Sequence, residues 1–332
     1  MGIAGASASK IVFAGVGKTE DEMRRAIATG PVIFNVESGE ELRVLATLAK
    51  EARATVPFAL RVNPDVDPRT HTYISTGKRE NKFGVDLPSA ERIARDALTA
   101  GMRGAVALSG IHVHIGSQIL DPAPYRAAVE RAAAFAAACR AMGHGVEFLN
   151  VGGGFGIDYA AAESLPFDGF AAAIRGALPD PSIRLLLEPG RSLVANAGAL
   201  LATVVRVKRS GDRRFVIVDA AMNDLIRPSL YQAHHKIVPV VARPGEESPC
   251  DVVGPICESG DFLALDRKLP PLEAGDRVAV LSAGAYGFSM SSQYNTRRRA
   301  AEVLIEGGSA RVIRARETYE EMLENESRFL LS

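Results

Sequence analysis

The sequence predicts an α/β chain, an incomplete (β/α) barrel with about six of the eight units of a closed one, followed by a C-terminal all-β domain. Three observations predict it. Short apolar strands alternate with helix-period segments, polar residues gather at the C-terminal ends of those strands, and after Asn196 the helix period gives way to β-rich alternation. This divides the chain into a barrel over residues 1–197 and a β domain over residues 198–332.

The first strand is IVFAGVG after Lys10, and TEDEMRRAIATG follows as a helix with Thr19 as N-cap and Gly30 as its stop. The unit returns as VIFNV (32–36) with a helix over 38–53 capped by Ser38, and again as FALRV (58–62) before a long loop. A fourth strand, GIHVHIGS (110–117), leads to a helix over 125–142. The fifth runs into glycines in FLNVGGGFGIDY (148–159) and is followed by a helix over 167–177, and the sixth is IRLLLEPGR (183–191). Strands that are continuous apolar runs are buried on both faces, which is the signature of a parallel sheet. Asn63, His114, Ser117, Gly153, Glu188 and Arg191 all fall at C-terminal strand ends, which favours a barrel with one shared mouth over an open sheet.

Beyond the junction near 195–198, six segments read as strands or strand pairs: ALLATVVRVKRS, RRFVIVDAAM, KIVPVVARP, PCDVVGPICES, DRVAVLSAGAY and AEVLIEGGSARVIRAR. No helix-period pattern of any length returns until the acidic stretch at 317–326.

Composition narrows the partners. The 332 residues carry 39 Lys plus Arg against 39 Asp plus Glu, so no basic excess advertises nucleic acid or an anionic membrane. The longest apolar-rich run, residues 132–138, falls far short of the ~20 a membrane span needs. The N-terminus has neither a basic start nor a long apolar run, which points to a cytoplasmic protein acting on a small molecule. Cys139, Cys250 and Cys257 lack metal spacing and are expected as reduced thiols.

Several residues carry possible chemistry. Gly152, Gly153, Gly154 and Gly156 read either as a tight turn or as an anion seat, since a backbone without side chains brings N–H dipoles to one point. Glu188 and Arg191 bracket Pro189 and Gly190. A glutamate there can hold a proton on a ring nitrogen while the arginine forks onto a phosphate or carboxylate, or the two can simply pair at the barrel rim. His112 and His114 share one strand face, and His114 beside Ser117 and the glycines suits a platform under a planar phosphorylated ligand. Cys257 sits among Glu258 and Asp261, negative neighbours that disfavour a thiolate, so it reads as a proton donor or as a small buried side chain. Arg227 and Tyr231 are four apart on one helix face, and Tyr286 lies in a glycine-rich turn. For His112, His234 and His235 the sequence offers packing or surface roles.

The ordered set HIGSQ, VGGGFG, EPGR, DAAMNDLIRPSLY, GPICESGD and GAYGFSMSSQYN, with KFGV at 82–85, resembles diaminopimelate decarboxylases of the pyridoxal phosphate-dependent alanine racemase and ornithine decarboxylase fold family. The resemblance covers essentially the whole chain. It implies a homodimer with active sites at the subunit interface and decarboxylation of meso-2,6-diaminopimelate to L-lysine in lysine biosynthesis. It further implies that His114 stacks on the cofactor ring, that Ser117, Gly153, Gly154 and Tyr286 hold the phosphate, and that Glu188, beside Gly190, holds the pyridine nitrogen proton. Arg191, Arg227 and Tyr231 would grip the distal carboxylate and Glu258 the distal ammonium, while Cys257 of the neighbouring subunit would return a proton. CES at 257–259 favours diaminopimelate over ornithine.

The family pattern opens with a β-domain strand and two further βα units, including a Y-A-x-K-A-N segment whose lysine forms the Schiff base. That segment is not in this sequence, and none of Lys10, Lys18 and Lys82 matches it. At ~30 residues or more per βα unit it would account for the two strands short of eight. Two expectations follow: an in-frame start upstream of Met1, or a truncated homologue that binds cofactor or a partner without turnover. A sibling acting on ornithine or arginine is the remaining alternative.

Overall fold

The computed structural model describes residues 5–67 and 82–330. Their contacts divide the chain into two units, one of residues 1–156 and 165–190, the other of residues 157–164 and 191–332.

The first unit is the predicted run of βα units. Its strands are β1 (Val12–Phe13), β2 (Ile33–Val36), β3 (Val56–Arg61), β4 (Val106–His112) and β5 (Phe148–Asn150). Beyond the hairpin β6 (Ile157–Asp158) and β7 (Glu163–Ser164), which belongs to the other unit, comes β8 (Arg184–Leu186). The order is β1-β2-β3-β4-β5-β8, parallel throughout.

The helices between strands are α1 (Glu20–Thr29), α2 (Gly39–Glu51), α3 (Leu87–Ala97), α4 (Ala123–Ala141) and α5 (Phe167–Gly176). Thr19 caps α1 in a full capping box with Glu22, and the Ser38 hydroxyl accepts from the Glu41 N–H at the start of α2. Helix α3 is an addition to the sequence reading, which placed only a loop after the third strand. Its signals are local, with Asp86 accepting from the Ser89 N–H at 2.7 Å and a proline in the first turn. Among the described residues no helix is long and apolar enough to cross a membrane.

The strand period of two sorts this unit into layers. Phe34, Val36, Phe58, Leu60, Ile111, Val113, Leu149 and Val151 face the helices in one large core. On the opposite face Ile33, Ala59 and Phe148 form a small apolar cluster with Val12 and Leu186. Two residues further along the strands that face turns polar, with Asn35, Arg61, His112 and Asn150, and the register pairs Arg61 with His112 and His112 with Asn150. Each of the four is at most 6% exposed, so this polar layer is inside the fold.

After a single helical turn, α6 (Arg191–Val194), the second unit forms a six-stranded sheet. Its members in chain order are β9 (Leu200–Ser210), β10 (Arg213–Val218), β11 (Ile237–Pro239), β12 (Ser248–Val253), β13 (Phe262–Leu269) and β14 (Arg277–Val280). The spatial order is β11-β14-β9-β10-β12-β13, antiparallel except for β10 with β12. Helix α7 (Arg227–Tyr231) lies between β10 and β11. A hairpin, β15 (Glu302–Glu306) with β16 (Ser309–Arg314), and helix α8 (Tyr319–Leu330) end the described chain.

Strand β13 escaped the sequence reading for a physical reason. It is an outer strand with a register shift against β12, and Asp266 at φ 48° breaks its alternation next to Arg267 and Lys268.

Candidate functional site

In the first unit the candidate site grows from the polar layer and the turns beyond it. Glu188 follows β8, and its Oε1 accepts from Asn150 Nδ2 at 2.7 Å and Asn35 Nδ2 at 3.4 Å, with His112 Nε2 at 3.6 Å. Oε2 has no hydrogen-bond partner among the described residues. The carboxylate is thus fixed through one oxygen, and its side chain stays 34% exposed. His112 is fully buried with no hydrogen bond at either ring nitrogen. Burial, and after it the charge of Arg61, holds its pKa well below the ordinary range.

The glycine turn is built by exclusion. Gly154 sits at φ 96°, and a Cβ there would overlap the Gly116 carbonyl and come within 3.0 Å of the Tyr125 hydroxyl. A Cβ on Gly153 would overlap the Glu188 carbonyl. Tyr125, buried against Phe155 in a stacked pair, donates its hydroxyl to Gly153 O at 2.7 Å and fixes the turn from behind. Of the N–H groups, that of Gly152 is taken by Asn150 Oδ1 at 3.0 Å, that of Gly153 by His114 Nδ1 at 3.1 Å, and that of Gly156 by Ile119 O. Gly154 keeps its N–H without a partner among the described residues. Since His114 Nδ1 accepts, the imidazole carries its proton on Nε2. Burial, then the charge of Arg61, lowers the His114 pKa from 6.5 to about 4. Ser117 lies in the turn just beyond β4, and Gly190 is exposed with open space around it.

Next to these groups are two compensated ion pairs. Arg61 Nη1 lies 2.6 Å from Glu37 Oε1, whose other oxygen accepts the Gly84 N–H of the KFGV segment at 2.7 Å. The Arg61 guanidinium stacks over Phe83, 4.7 Å from the ring centroid. Lys18, its side chain 1% exposed, pairs with Glu41 at 2.7 Å and donates to Gly15 O at 2.5 Å.

The second unit brings Arg191 and Arg227, with Tyr231 and Tyr286 near Arg227, onto a residue that the sequence reading did not name. That residue is Tyr159, from the loop between β6 and β7. Its hydroxyl accepts from Arg191 Nη1 at 2.6 Å, and its ring lies under the Arg227 guanidinium, 4.6 Å from centroid to Cζ. Arg191 also stacks over Tyr286 at 4.9 Å. Both guanidinium residues are buried, at 7% and 5% exposure, while Tyr286 is 42% exposed and held at φ 59°, a strained left-handed conformation. Tyr231 is half-buried at the end of α7. Burial pulls the Arg227 pKa below the usual arginine range.

Cys257 is exposed on the turn after β12. The neighbouring Asp261, 4% exposed, accepts the Met222 and Ile256 N–H groups at 2.7 Å each and so shapes that turn rather than acting at the surface. Glu258 Oε2 accepts from the Tyr294 hydroxyl at 2.7 Å. Tyr159, Tyr294, Asn35 and Asn150 are additions to the sequence reading, and His235, expected in a packing or surface role, is buried against Arg227. For Asn35 and Asn150 the signal was present, as polar residues at inward positions of otherwise apolar strands.

Residues 2–195 match the family described as "Pyridoxal-dependent decarboxylase, pyridoxal binding domain". The diaminopimelate decarboxylase of Aquifex aeolicus is 47% identical over 322 residues, covering 97% of this chain and 76% of that protein. That of Pseudomonas aeruginosa is 48% identical over 324 residues, covering 98% of this chain and 77% of that protein. The crystal structure of diaminopimelate decarboxylase from Helicobacter pylori complexed with L-lysine superposes with a TM-score of 0.93 at 42% identity, covering 98% of this chain and 81% of that one. The chain therefore belongs to the diaminopimelate decarboxylase family of carboxy-lyases, whose cofactor is pyridoxal 5'-phosphate.

Proposed function

We propose that this protein serves the decarboxylation of meso-2,6-diaminopimelate at its D-centre, yielding L-lysine and carbon dioxide. The observation that carries the substrate choice is Arg227. It is a buried guanidinium facing an imidazole and a tyrosine ring, with no carboxylate in ion-pair range among the described residues, and so suits a carboxylate brought by the ligand.

The residues present fit pyridoxal phosphate. The space beside Gly153 and Gly154 is closed to any Cβ, Gly154 has an N–H to give, and His112 and Asn35 Oδ1 are buried polar atoms without hydrogen bonds around Glu188. In this reading Ser117, Gly153, Gly154, Gly190 and Tyr286 hold the phosphate, with the Gly154 amide contributing more than that of Gly153. The neutral, edge-anchored His114 lies against the ring. Glu188 holds a proton at the ring nitrogen through the oxygen that Asn150 leaves open. The bound cofactor supplies the electron sink for carbon–carbon cleavage.

Arg191, Arg227 and Tyr231 orient the distal carboxylate, and Glu258 takes the distal ammonium. Cys257 delivers a proton to the carbon that has lost its carboxylate, and its exposure suits delivery from a partner subunit in a homodimer. The reading places this chemistry in the cytoplasm.

The test is product analysis with added pyridoxal phosphate, using the chain as written and the chain extended by any in-frame sequence upstream of Met1. Equimolar L-lysine and carbon dioxide from meso-diaminopimelate is expected from a form that carries the Schiff-base lysine segment of the family pattern. Equal turnover of ornithine or arginine would overturn the substrate assignment.

A further inference from the structure

His235 is fully buried, with 0% exposure, two residues before β11. Helix α7 ends at Gln232 in the left-handed conformation, φ 52°, which turns the chain back so that His235 meets the first residue of the same helix. Its two ring contacts are complementary. Nδ1 lies 2.9 Å from Leu281 O, and Nε2 lies 2.7 Å from Arg227 Nη1. A carbonyl only accepts and a guanidinium only donates, so both contacts demand the same neutral tautomer, with the proton on Nδ1 and a bare lone pair on Nε2. An imidazolium would set an N–H against a guanidinium N–H.

Tyr159 completes the frame. Its ring supports the Arg227 guanidinium from one face and meets the His235 ring at 4.9 Å and 66°. Arg227 is thereby fixed in plane by one hydrogen bond and across the plane by an aromatic surface, with no anion among the described residues paired to it. An aspartate in place of His235 would hold the guanidinium as well but would also neutralise it.

We propose that His235 is a positioning residue for Arg227, a neutral hydrogen-bond acceptor that aims the guanidinium at the substrate's distal carboxylate without cancelling its charge, with Tyr159 as the supporting plate. This rests on the reading that Arg227 grips that carboxylate.

The experiment titrates the full chain, with pyridoxal phosphate present, with L-lysine and with cadaverine, which lacks the carboxylate. The proteins are wild type, H235L, H235Q and R227M, and calorimetry gives the affinities. Loss of one charge-assisted contact is expected to weaken L-lysine binding to H235L by about tenfold or more while cadaverine changes by less than about twofold. H235Q, whose side-chain amide oxygen can accept from Arg227, recovers most of the loss. R227M abolishes the preference for L-lysine.

Wild-type affinity for L-lysine in H235L, alongside a lost preference in R227M, would show that His235 only packs. A preference retained in R227M, or absent from wild type, would instead bring down the reading beneath. Should H235L fail to fold, nitrogen NMR of wild-type His235 decides. An unprotonated Nε2 that shifts on adding L-lysine but not cadaverine supports the proposal, and the opposite tautomer or an unmoved signal overturns it.

Discussion

Buried charge is handled differently in the two units. In the first, Arg61 has Glu37 at 2.6 Å and Lys18 has Glu41 at 2.7 Å, so each cation has its anion within the fold. In the second, Arg227 is as buried as Arg61 but faces a neutral imidazole and a tyrosine ring. Burying an unpaired charge costs free energy that a paired one partly recovers. The first pairs therefore serve the fold, whereas Arg227 carries a cost that, under the proposed reading, a carboxylate brought by the ligand would offset.

The sharpest way to break that contrast is to remove the two arginines separately. R61M leaves Glu37 buried without its partner and is expected to lower unfolding stability by about 3–5 kcal/mol. R227M removes a charge that has no anion among the described residues, so its stability should change by less than about 1 kcal/mol in either direction. Urea denaturation of both variants checks this. Similar large losses in both would mean that Arg227 is structural, and the distinction between the units would fall.

Protonation gives the next largest effect and strikes both units. Burial lowers His114 in the first unit and His235 in the second from 6.5 to about 4. Arg61, His112 and the Gly153 N–H are among the groups facing His114, and Arg227, Arg191, His234, Tyr159 and the Leu281 carbonyl are among those facing His235. A depressed histidine binds its proton more readily when unfolded, so stability rises with pH between the two values. The contribution is complete above pH 6.5 and is lost as pH falls through 4, on the order of 3 kcal/mol for each histidine. Thermal unfolding from pH 4 to 8 should show this slope, and H235Q should remove the share of the second unit alone. A slope unchanged in H235Q would mean that His235 does not titrate as its surroundings dictate.

These two histidines also mark how far the sequence could be read. The six parallel strands were legible as short apolar runs, four of them followed by a helix-period segment, and His114 and Glu188 stand where two such runs end. The layer of Asn35, Arg61 and Asn150 was half legible, since alternation gives the facing of a residue but not the neighbour it meets. Tyr159 was not legible at all, and His235 only as a residue that packs or lies at the surface. One follows a left-handed turn and the other lies in a short hairpin that interrupts the barrel units, and neither stands in a periodic segment that assigns it a face. The tertiary contacts with Arg227, the Leu281 carbonyl and Tyr159 distinguish His235 from the adjacent, exposed His234.

The smallest expected effect concerns Glu258, an exposed anion of the second unit. Its carboxylate accepts from the Tyr294 hydroxyl at 2.7 Å, and Tyr294 is itself 47% exposed. Water can replace that hydroxyl, so the bond orients Glu258 without holding a desolvated charge. Y294F should therefore weaken L-lysine binding by no more than about threefold, in contrast to the roughly tenfold expected for H235L. Calorimetry on the two variants side by side measures the difference. A tenfold loss in Y294F would show that Glu258 depends on its neighbour as strongly as Arg227 does, and that exposure does not separate the two ends of the ligand.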